Sequence, residues 1–255
     1  MSATSRRTIV SRFASGLRFT YFAADRGLGR AMARGAFELA ELACACRQVR
    51  PGDAAIDGGA HLGIYSLLLA RAVGPAGHVY AFEPHPETRR LLTTTVAANG
   101  FQGRITVQEA AVGARTEPAT LLSGRRCAAH AHAHLAPAGV HPGRGDRVFP
   151  IRLVALDDLR LDRRIALIKL DVEGAELLAI RGALHLIRRD RPAILCELGD
   201  EESRRVSGSS SDQVIETLRQ VGYAPRAILP DGSAGQRLEA PPSARVSTVL
   251  CLPDA

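Results

Sequence analysis

The chain has 255 residues, 46% of them hydrophobic, and a net charge of +7, a size that supports one sizeable core or one domain with an extension. No apolar run approaches the ~20 residues needed to span a bilayer, so no membrane partner is expected. Seven Phe, four Tyr and no Trp leave the basic charge without the interleaved aromatic residues that stack on bases, so nucleic acid is not an expected partner either.

The opening MSATSRRTIVSRFASGLRF is rich in Arg and Ser and lacks acids, a composition shared with transit peptides, and SRRTIV has the look of a twin-arginine signal. Arg12 and Arg18 interrupt any apolar signal core, so we read a basic helical arm. Residues 1–50 as a whole read as a helical extension: Phe37, Leu39 and Leu42 fall at helical spacing, and Pro51–Gly52 ends the run. Residues 51–255 read as one α/β domain. In it AAIDGG is a strand and LGIYSLLLARAVG a helix; HVYAFEP is a strand and PETRRLLTTTVAANG a helix; ITVQEAAVG is a third strand. Residues 113–150, rich in Gly, Pro, His and Arg, read as an inserted hairpin or lid. ALIKLDVEG is then a strand, AELLAIRGALHLI a helix and PAILCEL a strand. The polar stretch 199–211 reads as a mobile loop. SSDQVIETLRQVG is a helix with Ser210 and Gln213 at capping-box spacing, and YAPRAIL and ARVSTVLCL are closing strands. This alternation predicts a mostly parallel sheet with helices on both faces, whose ligands bind beyond the carboxyl ends of the strands. The five cysteines, with Cys44 and Cys46 in C-x-C and the others isolated, offer neither a disulfide framework nor zinc spacing; reduced thiols in a cytoplasmic protein are the expectation.

The first strand ends in Asp57, followed by Gly58, Gly59, Ala60, His61, Leu62 and Gly63. Glycines there let backbone approach a ligand, and a helix N-terminus offers amides. A carboxylate at that mouth would repel the diphosphate of a dinucleotide, and a G-x-G-x-x-G reading would need glycine where Ala60 stands. It suits S-adenosylmethionine, which carries a sulfonium, an ammonium and one small carboxylate. Glu83, 26 positions after Asp57, ends the next strand, where an acid accepts ribose hydroxyls.

The segments IDGGAHLGIYSLLLA, VYAFEPHPE and LIKLDVEGAELLAIRGA together resemble the FkbM-type S-adenosylmethionine-dependent methyltransferases over about residues 50–200, with K-x-D-V-E-G-A-E as the most specific element. The resemblance implies the class I methyltransferase fold, a Rossmann-like, mostly parallel seven-stranded sheet. It also implies methylation, usually of a hydroxyl, on natural products, sugars or other small metabolites. By it Asp57, Gly58, Gly59, Ala60 and Gly63 line the methionine side, Glu83 holds the ribose, and Glu109 or Ala110 lies near the adenine. His61 and Pro84 join the cofactor-binding set, His61 either touching the acceptor or closing the turn; His85 is placed over the adenosine.

In IKLDVEG, Lys169 and Asp171 alternate with apolar residues and so share one face of a strand. Buried charges need partners, which puts the pair at the open strand end beside the cofactor. Lys169 is also the only lysine among 33 basic residues, consistent with a position where a compact ammonium fits and a guanidinium does not. Methyl transfer to a hydroxyl requires a group that orients it and removes its proton. Asp171 is the first candidate, positioned also to contact the cofactor, with Lys169, Glu173 and Glu176 assisting and Glu197 reaching in from the next strand. Asp171, Glu173 and one further acid could alternatively hold magnesium, but no oxygen-ligand cage is visible and none is expected. His130, His132 and His134 alternate, so in a strand they share a face; His134 is a candidate base and a metal there is not expected. Readings that stay open are an RNA or protein methyltransferase, a non-catalytic S-adenosylmethionine-binding protein and, last, a nicotinamide dehydrogenase.

Overall fold

The computed structural model describes residues 7–12, 16–25, 27–124, 133–136, 142–242 and 245–254. The N-terminal extension is not wholly helical. It begins with an antiparallel hairpin, β1 (Thr8–Arg12) and β2 (Arg18–Phe22), and only then forms α1 (Leu28–Ala33) and α2 (Leu39–Arg47). The expectation of a helical arm fails because RFTYF is aromatic and β-branched and finds a partner in a distant helix. Phe19, Thr20 and Phe22 are buried; the Thr20 amide donates to Thr95 Oγ1 at 3.1 Å, and Asn99 bonds both the Arg18 amide and its carbonyl.

The domain continues as β3 (Ala54–Gly58), α3 (Ile64–Ala72), β4 (His78–Phe82), α4 (Pro86–Ala98) and β5 (Ile105–Gln108). The insertion follows as β6 (Ala111–Val112), β7 (Glu117–Ser123), β8 (His134–Leu135) and β9 (Arg147–Val154). Then come β10 (Ile165–Leu170), α5 (Glu176–Arg181), α6 (Leu184–Asp190), β11 (Ala193–Gly199), α7 (Asp200–Val206), α8 (Ser211–Gln220), β12 (Tyr223–Ile228), β13 (Ala234–Arg237) and β14 (Val246–Pro253). The main sheet has eight strands in the order β13-β12-β14-β11-β10-β3-β4-β5, not seven. The five from β11 to β5 are mutually parallel, and β14 runs against them. The eighth strand, β13, is AGQR, too short, polar and Gly-containing to read as a strand alone; it pairs antiparallel with β12.

Helices cover both faces because the strands alternate. Ala55, Leu167, Leu195 and Leu250 join the core under α2, α3 and α4. Ile56, Ile168, Ile194 and Val249 join the core under α5, α6 and α8. The insertion is a separate four-stranded sheet in the order β6-β9-β7-β8, which splits ITVQEAAVG: β5 stops at Gln108, and Ala111–Val112 pair with β9 instead.

Two more expectations are corrected. The stretch 199–211 is not a loop throughout. Asp200, Glu201 and Glu202 open α7 and Arg204 and Arg205 close it, a charge order that suits the helix dipole, so polarity here marks an exposed helix. The single helix expected after β10 is two. At Gly182 a Cβ would strike the Gly113 carbonyl, and the Asp157 carboxylate accepts the amides of His185 (2.9 Å) and Leu186 (2.8 Å), starting α6 afresh. The capping box of α8 forms as expected, with Ser210 and Gln213 bonded reciprocally. Among the described residues no helix is long and apolar enough to cross a membrane, and Cys44, Cys46, Cys196 and Cys251 are free thiols.

Candidate functional site

The parallel register sets the charges. Lys169 lies opposite Asp57 on β3 and Leu195 on β11, so Asp57, Lys169, Asp171 and Glu197 fall on the α3 face of the sheet. Lys169 is 4% exposed. Its ammonium lies 3.5 Å from Asp57 Oδ1 and 3.4 Å from Asp171 Oδ2, and donates to the carbonyls of Gly59 (3.0 Å) and Gly58 (3.4 Å). The Tyr65 ring covers it, centroid at 5.0 Å. Burial alone would lower the Lys169 pKa, but Asp171, Asp57 and Glu38 reverse the sign and hold it above the ordinary lysine value.

Over this face opens a cavity of about 220 Å³. Of the residues singled out in the sequence, Gly59, Ala60, His61, Glu83, Pro84, His134, Lys169, Asp171, Glu173 and Glu197 line it. The insertion contributes Leu121, His134 and Leu135, so it overlies the site. His130 and His132 lie outside the described residues.

Several expected residues are elsewhere. Asp57 is 0% exposed and stands behind the wall, its Oδ2 accepting from Ser66 Oγ at 2.6 Å; α3 packs directly over it. Gly58 lies beneath the wall as a carbonyl acceptor for Lys169, and Gly63 is the N-cap of α3. A Cβ on Gly63 (φ +94°) would strike Leu92, and one on Gly59 (φ +77°) would strike the Asp171 carbonyl, so the glycines allow close packing of the turn. Glu109 is exposed and paired with Arg89 at 2.6 Å. It borders a separate open groove, and Ala110 is buried away from the cavity. The chain bends there to leave β5 for β9, so Ala111 and Val112 reach the cavity in their place. His85 is buried as the N-cap of α4, its ring 4.6 Å from that of Phe149, and is not part of the wall. Glu176 also turns inward: its Oε1 accepts the amides of Val172 (3.0 Å) and Gly174 (3.2 Å), bracing the loop after β10, and burial raises its pKa to about 7.

The glycine turn is already satisfied within the protein. The Gly59 and Ala60 amides both donate to the Phe82 carbonyl, and the His61 amide donates to Glu83 Oε2 at 2.8 Å. Three consecutive donors are therefore engaged, and the turn is not a phosphate cradle. Glu83 Oε1 accepts the His85 amide, also at 2.8 Å. Burial raises Glu83 to about 7 against the pull of these two amides. Glu173, left-handed at φ 53°, is raised to about 8 by burial and by the nearby Asp171, Glu176 and Glu202. Glu197 is raised by burial and by Asp171, to which it is hydrogen-bonded. Among the described residues no group of three or more His, Cys, Asp or Glu is placed to hold a metal ion. Sequence reasoning did not reach Glu38 and Tyr65, which also line the cavity. Tyr65 reads simply as one apolar position of α3, and Glu38 lies in the extension, far from any motif.

The residues 57–225 match the family model of the methyltransferase FkbM domain. A solved FkbM methyltransferase from Methylobacillus flagellatus KT has a TM-score of 0.50 and 20% identity over 78% of this chain and 43% of that one. P. horikoshii TYW2, in complex with MeSAdo, has a TM-score of 0.51 and 15% identity over 97% of this chain and 70% of that one. No curated protein matches the chain. The fold is that of the class I S-adenosylmethionine-dependent methyltransferases. The chain belongs to the FkbM methyltransferase family, and it spans 43% of the length of the Methylobacillus member.

Proposed function

We propose that this protein is an S-adenosylmethionine-dependent O-methyltransferase acting on a hydroxyl of a small molecule such as a natural product or sugar, in the reducing cytoplasm that its free thiols suit. The observation that carries the donor assignment is the wall itself: carboxylates Glu83, Asp171, Glu173 and Glu197 around one lysine, beside a turn whose first amides are already engaged. That donor set fits a sulfonium and ammonium compound and opposes a diphosphate. When bound, the donor supplies a methyl group on a positively charged sulfur. Glu83 would hold the ribose hydroxyls, since a carboxylate has about four lone-pair sites and the two amides take two. Gly59, Ala60 and His61 would line the methionine portion. Asp171, fixed by Lys169, would orient the acceptor hydroxyl and take its proton, with Glu173 and His134 bordering the same space. The insertion residues Leu121, His134 and Leu135 in the wall would face the acceptor.

Isothermal calorimetry of the purified protein is expected to show S-adenosylmethionine binding and none of NAD; the reverse result would remove the reading. The raised carboxyls add a pH signature. Glu83 and Glu173 titrate near 7 and 8 in the fold, against 4.5 for the unperturbed group. Between those limits the native state keeps protons that the unfolded chain has lost, so stability falls as pH rises. Donor affinity moves the opposite way, because ionised carboxylates attract the cation. From pH 6 to pH 8 the donor-free protein should therefore melt at a lower temperature while binding S-adenosylmethionine more tightly. Parallel trends in scanning calorimetry and titration would contradict the assignment.

A further inference from the structure

Two polar side chains in the cavity wall have no part in the chemistry so far, Glu38 and Tyr65. Glu38 occupies the N-cap position of α2 yet makes no side-chain bond to that helix, and its backbone is left-handed at φ 42°, ψ 47°. An N-cap is ordinarily extended and filled by Ser, Thr, Asp or Asn, and the left-handed region disfavours a residue with a Cβ. The carboxylate is instead held by Tyr65, whose hydroxyl donates to Glu38 Oε2 at 2.8 Å. The Tyr65 ring lies against the ammonium that fixes Asp171, so Glu38 is tied to the centre where the acceptor would react. Strain kept at a cavity wall by an outside clamp is a pointer to use. Residue 38 also precedes the span 57–225 that matches the family.

Charge narrows what Glu38 would receive. Among the described residues the wall carries five acidic side chains, Glu38, Glu83, Asp171, Glu173 and Glu197, one lysine and no arginine; burial holds Glu38, Glu83, Glu173 and Glu197 above the ordinary carboxylate value, so a cation arriving beside them favours their ionised form while an anion opposes it. That lysine is balanced by Asp57 and Asp171. A phosphate or carboxylate on the acceptor would be repelled by an ionised side chain of this wall, and an ammonium would be attracted to it. Resting on the methyltransferase reading, we propose that Glu38, clamped by Tyr65, is a specificity residue that receives an amino group of the acceptor, so that the substrate is a hydroxyl compound bearing an amine. Tyr65 takes one of the lone-pair sites of the carboxylate and leaves others for the acceptor.

The test loads the full chain with S-adenosylhomocysteine and titrates glucosamine, glucose and glucose 6-phosphate by ligand-observed NMR. The wild type should bind glucosamine about tenfold better than glucose, the scale of one hydrogen bond to a charged group, and glucose 6-phosphate least. Glu38→Gln still accepts the Tyr65 bond, and so should fold and take up the donor but lose the preference for the amine. Tyr65→Phe keeps the carboxylate and should retain the preference in weakened form. Equal binding of glucosamine and glucose by the wild type, or an undiminished preference in Glu38→Gln, overturns the proposal alone. Failure of the wild type to bind either S-adenosylmethionine or S-adenosylhomocysteine overturns the methyltransferase reading, and this proposal with it.

Discussion

Lys169→Met should lower the unfolding free energy by about 3–5 kcal/mol, the usual consequence of removing one partner from a buried ion pair. Asp57 is fully buried, and among the described residues its side chain is paired with Ser66 and Lys169. Without the ammonium that carboxylate is left uncompensated, and the Gly59 carbonyl loses the lysine donor, while that of Gly58 keeps the Asp171 amide. Urea denaturation would read the change, and at roughly 2–4 °C per kcal/mol the melting temperature should fall by about 10 °C. Asp57→Asn in the same background should restore part of the loss by removing the orphaned charge. Lys169→Arg should also destabilise the fold, because a planar fork does not fit between two carbonyls, two carboxylates and the Tyr65 ring. A loss below 1 kcal/mol in Lys169→Met would show that the pair does not brace the sheet.

Glu83→Gln should weaken S-adenosylmethionine binding about 100-fold, nearly as much as Glu83→Ala. A glutamine is ordinarily a mild replacement, but both Glu83 oxygens accept backbone amides, from His61 and from His85. The glutamine NH₂ must face one of those amides, setting donor against donor, and the turn that lines the cavity shifts. Hydrogen bonds to a charged group contribute about 1.5–3 kcal/mol each, so losing one or two accounts for the fall. Titration calorimetry measures it; wild-type affinity in Glu83→Gln would move the ribose contact to another residue.

The alternation of apolar strands with helices was legible without coordinates, as were Glu83 at a strand end and the shared face of Lys169 and Asp171. Each rests on local periodicity, which a parallel sheet preserves because its strands run in one direction with side chains alternating between two faces. The hairpin at residues 8–22 was not legible, because its strand is held by Thr95 and Asn99 some 75 positions away or more. The position of Glu109 outside the cavity wall was not legible for a related reason: it follows β5 in sequence, but the chain there turns toward β9.

The acidic character of the site was written in the order of residues, since strand ends in such a sheet converge on one edge whatever the loops do. Which acids face the cavity was decided by packing. Asp57 sits behind the wall because α3 and Lys169 close over it, whereas Glu38 enters from an extension that carries no motif. Local pattern determines which face a side chain takes; only the contacts made by distant segments determine whether that face is covered or left open to a ligand.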